Sequence, residues 1–305
     1  MNFTHLQHFV AVADNGSVRL AAESLGITQP AISRSLRALE TTLGVSLLIR
    51  DSKGSRLTES GEVLHERAKL ITNEIDRIPV DLAELAGDPD DVVRIACSAT
   101  LGIDLLPSVL EDFHERYPKV QLHVMGGLPS SHLSQLADGS LDLVIGARPR
   151  GALPASIEVH DLFTVSTVIA VRQTHPLRTA KSLEDFAESQ WVLPSAAFDV
   201  AADLQAAFKA IKRSAPRIAM RSDSLYFVQA LVASTDYVTL IPEPLLKVVI
   251  ASSGLREVRV PELQSQDAVA LFVRSNRRLS RAATQLASAL KLGAKLHAKA
   301  GRDSL

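Results

Sequence analysis

Residues 28–43 combine hydrogen-bonding side chains with an apolar stripe. Thr28 is placed to cap a helix, and Pro30 falls in the first turn, where its missing N–H costs little. Apolar residues at spacings of four and three predict a buried helix face; these are Ile32, Leu36 and Leu39. The opposite face offers amide, hydroxyl and guanidinium groups that can hydrogen-bond to base edges in DNA; these are Gln29, Ser33, Arg34 and Arg37.

The preceding segment predicts a second helix that meets the first at a tight turn. Ser17 is placed to cap it, and Gly26 can end it in a left-handed conformation without steric cost. We expect Leu20 and Leu25 to share its inward face with Ala21. A helix over residues 4–14 would brace the pair. This is the pattern of a helix-turn-helix with a recognition helix for the major groove, although a helical hairpin in a bundle can show it too.

A wing is predicted after Gly44. Residues 45–50 are strand-like, residues 51–55 have turn chemistry, and Arg56 begins a second short strand. We expect Arg50, Lys53 and Arg56 to meet the sugar-phosphate backbone or the minor groove. The whole chain has a formal net charge of −1, but residues 34–56 hold five basic side chains against two acidic ones. A local basic face of this kind is sufficient for binding phosphates.

The first 86 residues resemble the N-terminal region of LysR-type transcriptional regulators. The matching residues are Phe9, Val12, Ser17, Ala21, Ala22, Leu25, Gln29, Pro30, Ser33, Leu39, Glu40, Leu43, Gly44, Val45, Leu47, Arg50, Leu57, Thr58, Glu59, Ser60 and Gly61. Leu48 departs from the pattern, because the family usually has phenylalanine there. The resemblance implies an N-terminal all-α winged helix-turn-helix (residues 1–58) that binds an inverted-repeat operator in double-stranded DNA. It also makes RNA polymerase a candidate partner.

A long helix is predicted over residues 59–86, with Thr58 as its cap. Its apolar positions alternate at spacings of four and three, as a two-helix coiled interface requires; they are Leu64, Ala68, Ile71, Ile75, Ile78 and Leu82. Pro79 should kink the helix or end its regular part. The resemblance implies that this linker helix pairs two subunits, in a homodimer or homotetramer. An amphipathic helix lying on its own domain is the alternative.

Residues 87–91 are a predicted hinge, and residues 92–305 form the predicted effector-binding domain. Short apolar runs alternate there with helical patterns, including a helix over 103–117 and two strands near 157–163 and 166–172, which predicts a C-terminal α/β fold. The arrangement resembles the periplasmic-binding-protein-like (type 2) domain of the same family, with two Rossmann-like subdomains. The first would comprise about 92–162 and 267–300, and the second about 163–266.

Polar residues after the predicted strands mark a ligand site, because ligands bind beyond the carboxyl ends of such strands. Free N–H groups and hydroxyls at helix starts, with Arg148 as a carboxylate partner, favour a small organic anion. A sugar or a neutral aromatic molecule stays open as the effector. The predicted effector residues are Ser98, Ala99, Thr100, Leu128, Ser130, Arg148, Ser195, Ser222 and Pro242.

Other functional classes find little support in the sequence. Cys97 is the single cysteine, which excludes an internal disulfide framework and suits a reducing cytoplasm. No apolar run approaches a membrane span, and motifs of the common hydrolases, nucleotide-binding enzymes and metalloproteases are missing. We therefore expect a cytoplasmic regulator with no catalytic residues, no metal and no cofactor besides its effector. A solute-binding module with a helical appendage is the alternative, and an enzyme with a DNA-binding head the weaker rival.

Overall fold

The chain folds into two units. The computed structural model describes residues 1–51, 54–86, 92–194, 200–246, 254–263, 265–275 and 278–302. The N-terminal unit is essentially residues 1–89, and nearly all of the following chain forms the C-terminal unit. The predicted hinge, residues 87–91, lies outside the described residues.

The N-terminal unit is helical with a two-stranded wing. Its elements are α1 (Phe3–Asn15), α2 (Val18–Leu25), α3 (Gln29–Leu43), β1 (Leu48–Asp51), β2 (Gly54–Leu57) and α4 (Glu59–Ala86). Gly16, Gly26 and Gly44 each end a helix in the left-handed conformation, in which a residue with a Cβ atom is strained. The predicted stripe of α3 is fully buried: Ile32, Leu36 and Leu39 have no exposed surface.

Two local predictions for the helix pair were wrong. Ser17 and Thr28 occupy the N-cap positions of α2 and α3, but neither side chain makes a capping hydrogen bond. Leu20 and Leu25 are each 40% exposed, whereas Ala21 and Ala22 are buried. The helices therefore approach through the two alanines, and the bulkier leucines lie at the margin of the contact.

The start of α4 is fixed to the wing. The Thr58 hydroxyl accepts a hydrogen bond from the Gly61 N–H (3.0 Å) and donates one to the Ser46 carbonyl (2.7 Å), so the predicted cap is confirmed. The helix continues through Pro79 to Ala86. Pro79 therefore does not end it.

The heptad stripe of α4 is divided between two environments. Ala68 has no exposed surface and, with the half-buried Leu64, packs in the core of its own unit, so the place of these two residues in an intersubunit seam stays a prediction. A heptad pattern cannot distinguish these two kinds of burial. The rest of the stripe is exposed by 44%, 37%, 52% and 60% in turn: Ile71, Ile75, Ile78 and Leu82.

The C-terminal unit alternates strands and helices. Its elements are β3 (Val92–Cys97), α5 (Ala99–Ile103), α6 (Leu106–Arg116), β4 (Gln121–Gly126), α7 (Pro129–Ala137), β5 (Leu143–Ala147), β6 (Ile157–Arg172), a 3₁₀ helix (Leu183–Phe186), β7 (Gln190–Pro194), α8 (Val200–Ala210), β8 (Arg217–Ser222), α9 (Leu225–Ser234), β9 (Thr239–Pro242), β10 (Leu255–Val258), β11 (Ser265–Arg274) and α10 (Arg281–Arg302). Strand and helix segments alternate as the sequence predicts for an α/β fold.

One long strand connects two subdomains. In the main sheet the order is β10-β6-β11-β5-β3-β4, with β9 also paired to β6. Strands β4, β3 and β5 are parallel, and β11 lies antiparallel between β5 and β6. The C-terminal end of β6 pairs with β9 and β10. Strand β7 is parallel to β8, and its residue Trp191 also pairs with Val238. The chain returns to the first subdomain along β11.

Two predicted elements differ from the observed ones, and one observed strand was not predicted. The helix expected over 103–117 begins later, as α6, because Pro107 favours a helix start in its neighbourhood, and the short helix α5 precedes it. The two strands expected near 157–163 and 166–172 are one 16-residue strand, β6. Strand β10 was not predicted.

Each subdomain has its own apolar core. In the first, side chains of β3, β5, α6 and α10 pack together, among them Ile95, Ile145 and Phe113. In the second, Trp191 and Phe208 belong to a cluster built from β6, β7 and α8. Two separate cores joined by strands leave the strand ends of both subdomains available to form a ligand site.

Candidate DNA-binding and effector sites

The outer face of α3 carries the predicted base-reading side chains. Gln29, Pro30, Arg34 and Arg37 are exposed, and Ser33 is half-buried at the edge of the buried stripe. The Arg37 Nε donates to the Ser33 carbonyl one turn earlier (3.2 Å), which directs its guanidinium along the helix. The structure therefore presents amide, hydroxyl and guanidinium donors together at the N-terminal half of an exposed helix.

The wing is held against the corner between α1 and α2. The Ser55 N–H donates to the Gly16 carbonyl (2.8 Å), and a Cβ on Gly54 would lie 2.6 Å from that oxygen. Gly54 also has φ of +132°, which L side chains rarely adopt. Glycine is thus required for this close approach. Arg56, on β2, is exposed on the wing.

Two of the predicted wing contacts cannot be placed. Lys53 lies outside the described residues, and of Arg50 the structure describes only the backbone, in β1.

The linker helix is attached to α1 by charged and aromatic contacts. The His65 Nε2 lies 2.8 Å from the Asp14 Oδ1, and the Lys69 Nζ donates to the same oxygen at 3.4 Å. The hydrogen bond with His65, followed by the nearby charges, lowers the pKa of Asp14. Phe9 meets the His65 ring edge-on at a centroid distance of 6.4 Å. These contacts join the first turns of α4 to the DNA-binding unit.

In the C-terminal unit, three strand ends converge on Gly146. A Cβ built there would lie 2.8 Å from Cγ of Pro129, the first residue of α7, and 3.3 Å from Cβ of Ser98, the N-cap of α5. The loops after β3, β4 and β5 are therefore in direct contact. This convergence was predicted from the rule that ligands bind beyond the carboxyl ends of parallel strands.

A cavity of about 230 Å³ opens at this edge. It brings together three predicted effector residues, Leu128, Ser130 and Arg148, with Pro129, Ala147, Pro149 and Arg150. Arg148 pairs with Asp161 through one nitrogen, its Nη1 lying 2.9 and 2.7 Å from the two carboxylate oxygens. Both side chains are exposed, so the pair is weak and water competes with it.

Arg150 is a functional candidate that the sequence prediction missed. It donates from Nη1 and Nη2 to the two oxygens of Asp203 on α8 (2.5 and 2.6 Å), and from Nη2 to Asp267 on β11 (2.9 Å). The hydrogen bonds with Asp203 are the largest cause of a raised pKa for Arg150. A signal was present in Asp267, which lies within an apolar strand pattern and is 5% exposed, because a buried carboxylate is usually paired with a cation.

The remaining predicted effector residues that the structure describes are not among the residues that line this cavity. Ala99 and Thr100 begin α5, the first exposed and the second half-buried. The Ser222 hydroxyl, at the end of β8, accepts from the Ser224 N–H (3.1 Å), and Pro242 is buried opposite Thr167 in the strand pairing. Ser195 lies outside the described residues. Cys97, next to Ser98, is a buried thiol whose pKa is raised by burial.

A larger cavity of about 470 Å³ lies where β6 meets the segment after β10. Its lining includes Thr167, Val260 and Gln266. The cavity contains none of the predicted effector residues, and it lies beside the crossing strand rather than at the strand ends where ligands bind in this class of sheet.

Metal binding and membrane crossing find no support in the part of the chain that the structure describes. It contains no group of histidine, cysteine, aspartate and glutamate side chains arranged to hold a metal ion. None of its helices combines the length and the apolar character that crossing a membrane requires.

A winged helix-turn-helix, a long linker helix and a two-subdomain α/β unit define a ligand-responsive DNA-binding protein. Comparison with known families agrees. Residues 3–62 match the bacterial regulatory helix-turn-helix protein, lysR family, and residues 86–294 match the LysR substrate binding domain. The chain belongs to the LysR family and is a LysR-type transcriptional regulator with an effector-binding domain.

Individual relatives are distant but similar over most of the chain. The transcriptional regulator TdcA of Escherichia coli K12 is 28% identical over 238 residues, 78% of this chain and 76% of TdcA. PcaQ of Agrobacterium fabrum is 28% identical over 279 residues, 90% of this chain and 89% of PcaQ.

Solved structures share the fold. CbnR, a LysR family transcriptional regulator, has a TM-score of 0.69 at 21% identity, covering 96% of this chain and 99% of CbnR. CbnR has also been solved in complex with its target DNA. Full-length OxyR C199D from Pseudomonas aeruginosa has a TM-score of 0.66 at 21% identity, with 97% and 95% covered.

Proposed function

We propose that two copies of this chain bind an inverted-repeat operator, each placing α3 in the major groove. Gln29, Ser33 and Arg34 would contact base edges, and Arg37 and the wing residues Arg50, Lys53 and Arg56 would contact the backbone. The observation that carries this proposal is the exposed polar face of α3 opposite a fully buried apolar stripe. Pro30 would lie at the base edges beside Gln29. Ser17 and Thr28 would approach the phosphates at the helix starts, where free N–H groups favour anions.

The pairing surface that we propose is the second half of α4. Ile71, Ile75, Ile78 and Leu82 continue the heptad stripe with exposed side chains, and an apolar stripe of this kind is normally covered in a coiled interface. One winged helix contacts too few base pairs for specific binding, so a two-fold dimer, or a tetramer made from two dimers, fits an inverted repeat.

The proposed effector is a small organic anion bound at the 230 Å³ cavity, with Ser130 and Arg148 as its polar contacts. The exposed Arg148–Asp161 pair supports this, because an incoming carboxylate can replace Asp161 at little cost. Ser98, Ala99 and Thr100 would extend the site along the converging strand ends. We propose that residues 1–58 form the DNA-binding domain, residues 59–86 the linker helix and residues 92–305 the effector-binding domain. We also propose that the protein is a cytoplasmic regulator that catalyses no reaction.

The test uses salt-titrated gel shifts with DNA from immediately upstream of this protein's gene, comparing the wild type with Arg34→Ala. A lost base-edge contact should reduce discrimination between operator and scrambled DNA by about tenfold to a hundredfold. Arg116→Ala, an exposed arginine on α6, is the matched control and should leave discrimination unchanged. If the wild type binds both DNAs equally and loses them at moderate salt, the solute-binding alternative is favoured. Unchanged discrimination by Arg34→Ala would remove Arg34 from the base-reading set.

A further inference from the structure

The Arg150 ion triad links the two subdomains of the effector-binding unit. Arg150 follows β5 in the first subdomain, whereas Asp203 is on α8, which packs in the core of the second. Two parallel hydrogen bonds join the guanidinium to both carboxylate oxygens of Asp203, at 2.5 and 2.6 Å. This is the geometry in which arginine also binds a ligand carboxylate.

Asp267 keeps Arg150 in place. It lies on β11, its side chain is 5% exposed, and it accepts from the Arg150 Nη2 at 2.9 Å. A carboxylate buried within the sheet cannot withdraw, whereas the Asp203 side chain is 24% exposed and sits near the start of a helix in the other subdomain. Arg150 therefore has one fixed partner and one that can separate from it.

The charges around the cavity bear on how an anion could enter. Arg148 and Arg150 line the cavity, and they pair with three aspartates, Asp161, Asp203 and Asp267. The five side chains together therefore carry a net charge of −1. An anion added to this set meets net repulsion, whereas an anion that replaces one aspartate leaves the local charge unchanged. Entry by exchange is therefore favoured over entry by addition.

We infer that Asp203 is a built-in occupant of the effector site, and that an effector carboxylate acts by taking its place on Arg150. Replacing Asp161 changes nothing between subdomains, because Arg148 and Asp161 belong to the same one. Replacing Asp203 breaks a bond between them and changes their relative position. This inference rests on the proposed function and adds the release mechanism to it: without effector, the Arg150–Asp203 pair holds the subdomains together.

The test compares the wild type, Asp203→Asn and Asp161→Asn in the full-length protein. Dyes on Gln205→Cys (α8) and Gln285→Cys (α10), both exposed positions, report the distance between subdomains by energy transfer. Labelled chains are mixed with excess unlabelled chains so that transfer stays within one chain. Benzoate is the carboxylate probe and benzamide its neutral counterpart of the same shape. Asp161→Asn is the matched comparison, because it removes the same charge from the partner of Arg148, the other arginine that lines the cavity, and it should leave the distance between subdomains without ligand unchanged.

Benzoate should change energy transfer in the wild type and in Asp161→Asn, whereas benzamide should change neither. Asp203→Asn without ligand should already show the benzoate-bound value, and benzoate should not alter it. Benzoate should bind Asp203→Asn more tightly, by about tenfold or less, because the Arg150–Asp203 pair is partly exposed and water screens it.

Three results would overturn the inference: a full benzoate response in Asp203→Asn, an equal loss of response in both variants, or no binding of benzoate to Asp203→Asn at high concentration. Gel shifts run in parallel separate this from the proposed function. Operator binding by all three proteins leaves the regulator assignment standing, whatever energy transfer shows. Failure of the wild type to bind operator counts against the proposed function instead.

Discussion

Replacing Gly61 with alanine should lower the free energy of unfolding of the DNA-binding unit. A Cβ at Gly61 would lie 2.1 Å from the Leu47 carbonyl oxygen and 3.1 Å from a methyl group of Leu57. The first obstacle is backbone and already accepts the Thr58 N–H at 3.0 Å. The start of α4 and the segment before β1 must therefore separate by about 1 Å, which disrupts this hydrogen bond and the Thr58 cap.

The size of the effect follows from three contributions. Alanine in a helix is more favourable than glycine by about 1 kcal/mol. Overpacking costs about 1–3 kcal/mol, and the lost hydrogen bond costs about 1 kcal/mol. The sum is a destabilisation of about 2 kcal/mol, which raises the unfolded fraction of this unit about thirtyfold.

Hydrogen exchange of the α3 amides measures this directly, because Ile32, Leu36 and Leu39 lie in the unit's core. Gly16→Ala is the control: its φ of +63° is strained for alanine, but no atom lies within 4 Å of the new Cβ. It should cost about 1 kcal/mol, from strain alone. If Gly61→Ala showed exchange as slow as the wild type or slower, helix propensity would outweigh the clash and the reasoning would be refuted.

Two further predictions concern α4. The hydrogen bond with His65 lowers the pKa of Asp14 in the folded protein. The Asp14 carboxylate therefore stabilises the folded unit at pH values above the pKa of an unfolded aspartate, near 4. This stabilisation is lost as the pH falls through the lower pKa of Asp14 in the folded state. Asp14→Asn should therefore flatten the acid limb of a plot of urea midpoint against pH; an unchanged limb would contradict this. Ile75→Lys should shift the protein toward monomers in sedimentation, whereas Val63→Lys, at an exposed site off the heptad stripe, should not. Retained dimers in Ile75→Lys would rule out the proposed seam.

The sequence was most informative where local chemistry and periodicity agree. The spacing of Ile32, Leu36 and Leu39 predicted that they are buried. Gly26 was predicted to end α2 because glycine has no side chain to oppose the left-handed conformation. Both predictions are confirmed. Leu20 and Leu25 were misjudged because periodicity identifies an apolar face but not how closely the neighbouring helix covers it. Two alanines allow a close approach over only part of that face.

The effector site was predictable in position but not in its ion pairs. The convergence of Ser98, Leu128 and Ser130 follows from parallel strands ending at one edge, a rule that needs only the order of elements. The pair of Arg150 with Asp203 joins residues 53 positions apart on different subdomains, and no local pattern predicts it. Such a pair depends on how two separately folded cores are placed by β6 and β11.

In the proposed dimer the two halves of α4 would have different tasks, which would account for the two environments of its heptad stripe. From Thr58 to Ala68 the helix is fixed to the DNA-binding unit by its cap, by the contacts of His65 and Lys69 with Asp14, and by burial of Ala68. Those contacts leave the first turns little freedom to rotate independently. From Ile71 onward the stripe residues Ile71, Ile75, Ile78 and Leu82 are exposed and, in the proposed dimer, would meet a second copy. A change in the pairing of the second halves would then turn each DNA-binding unit as a rigid body, since the first halves cannot absorb the rotation.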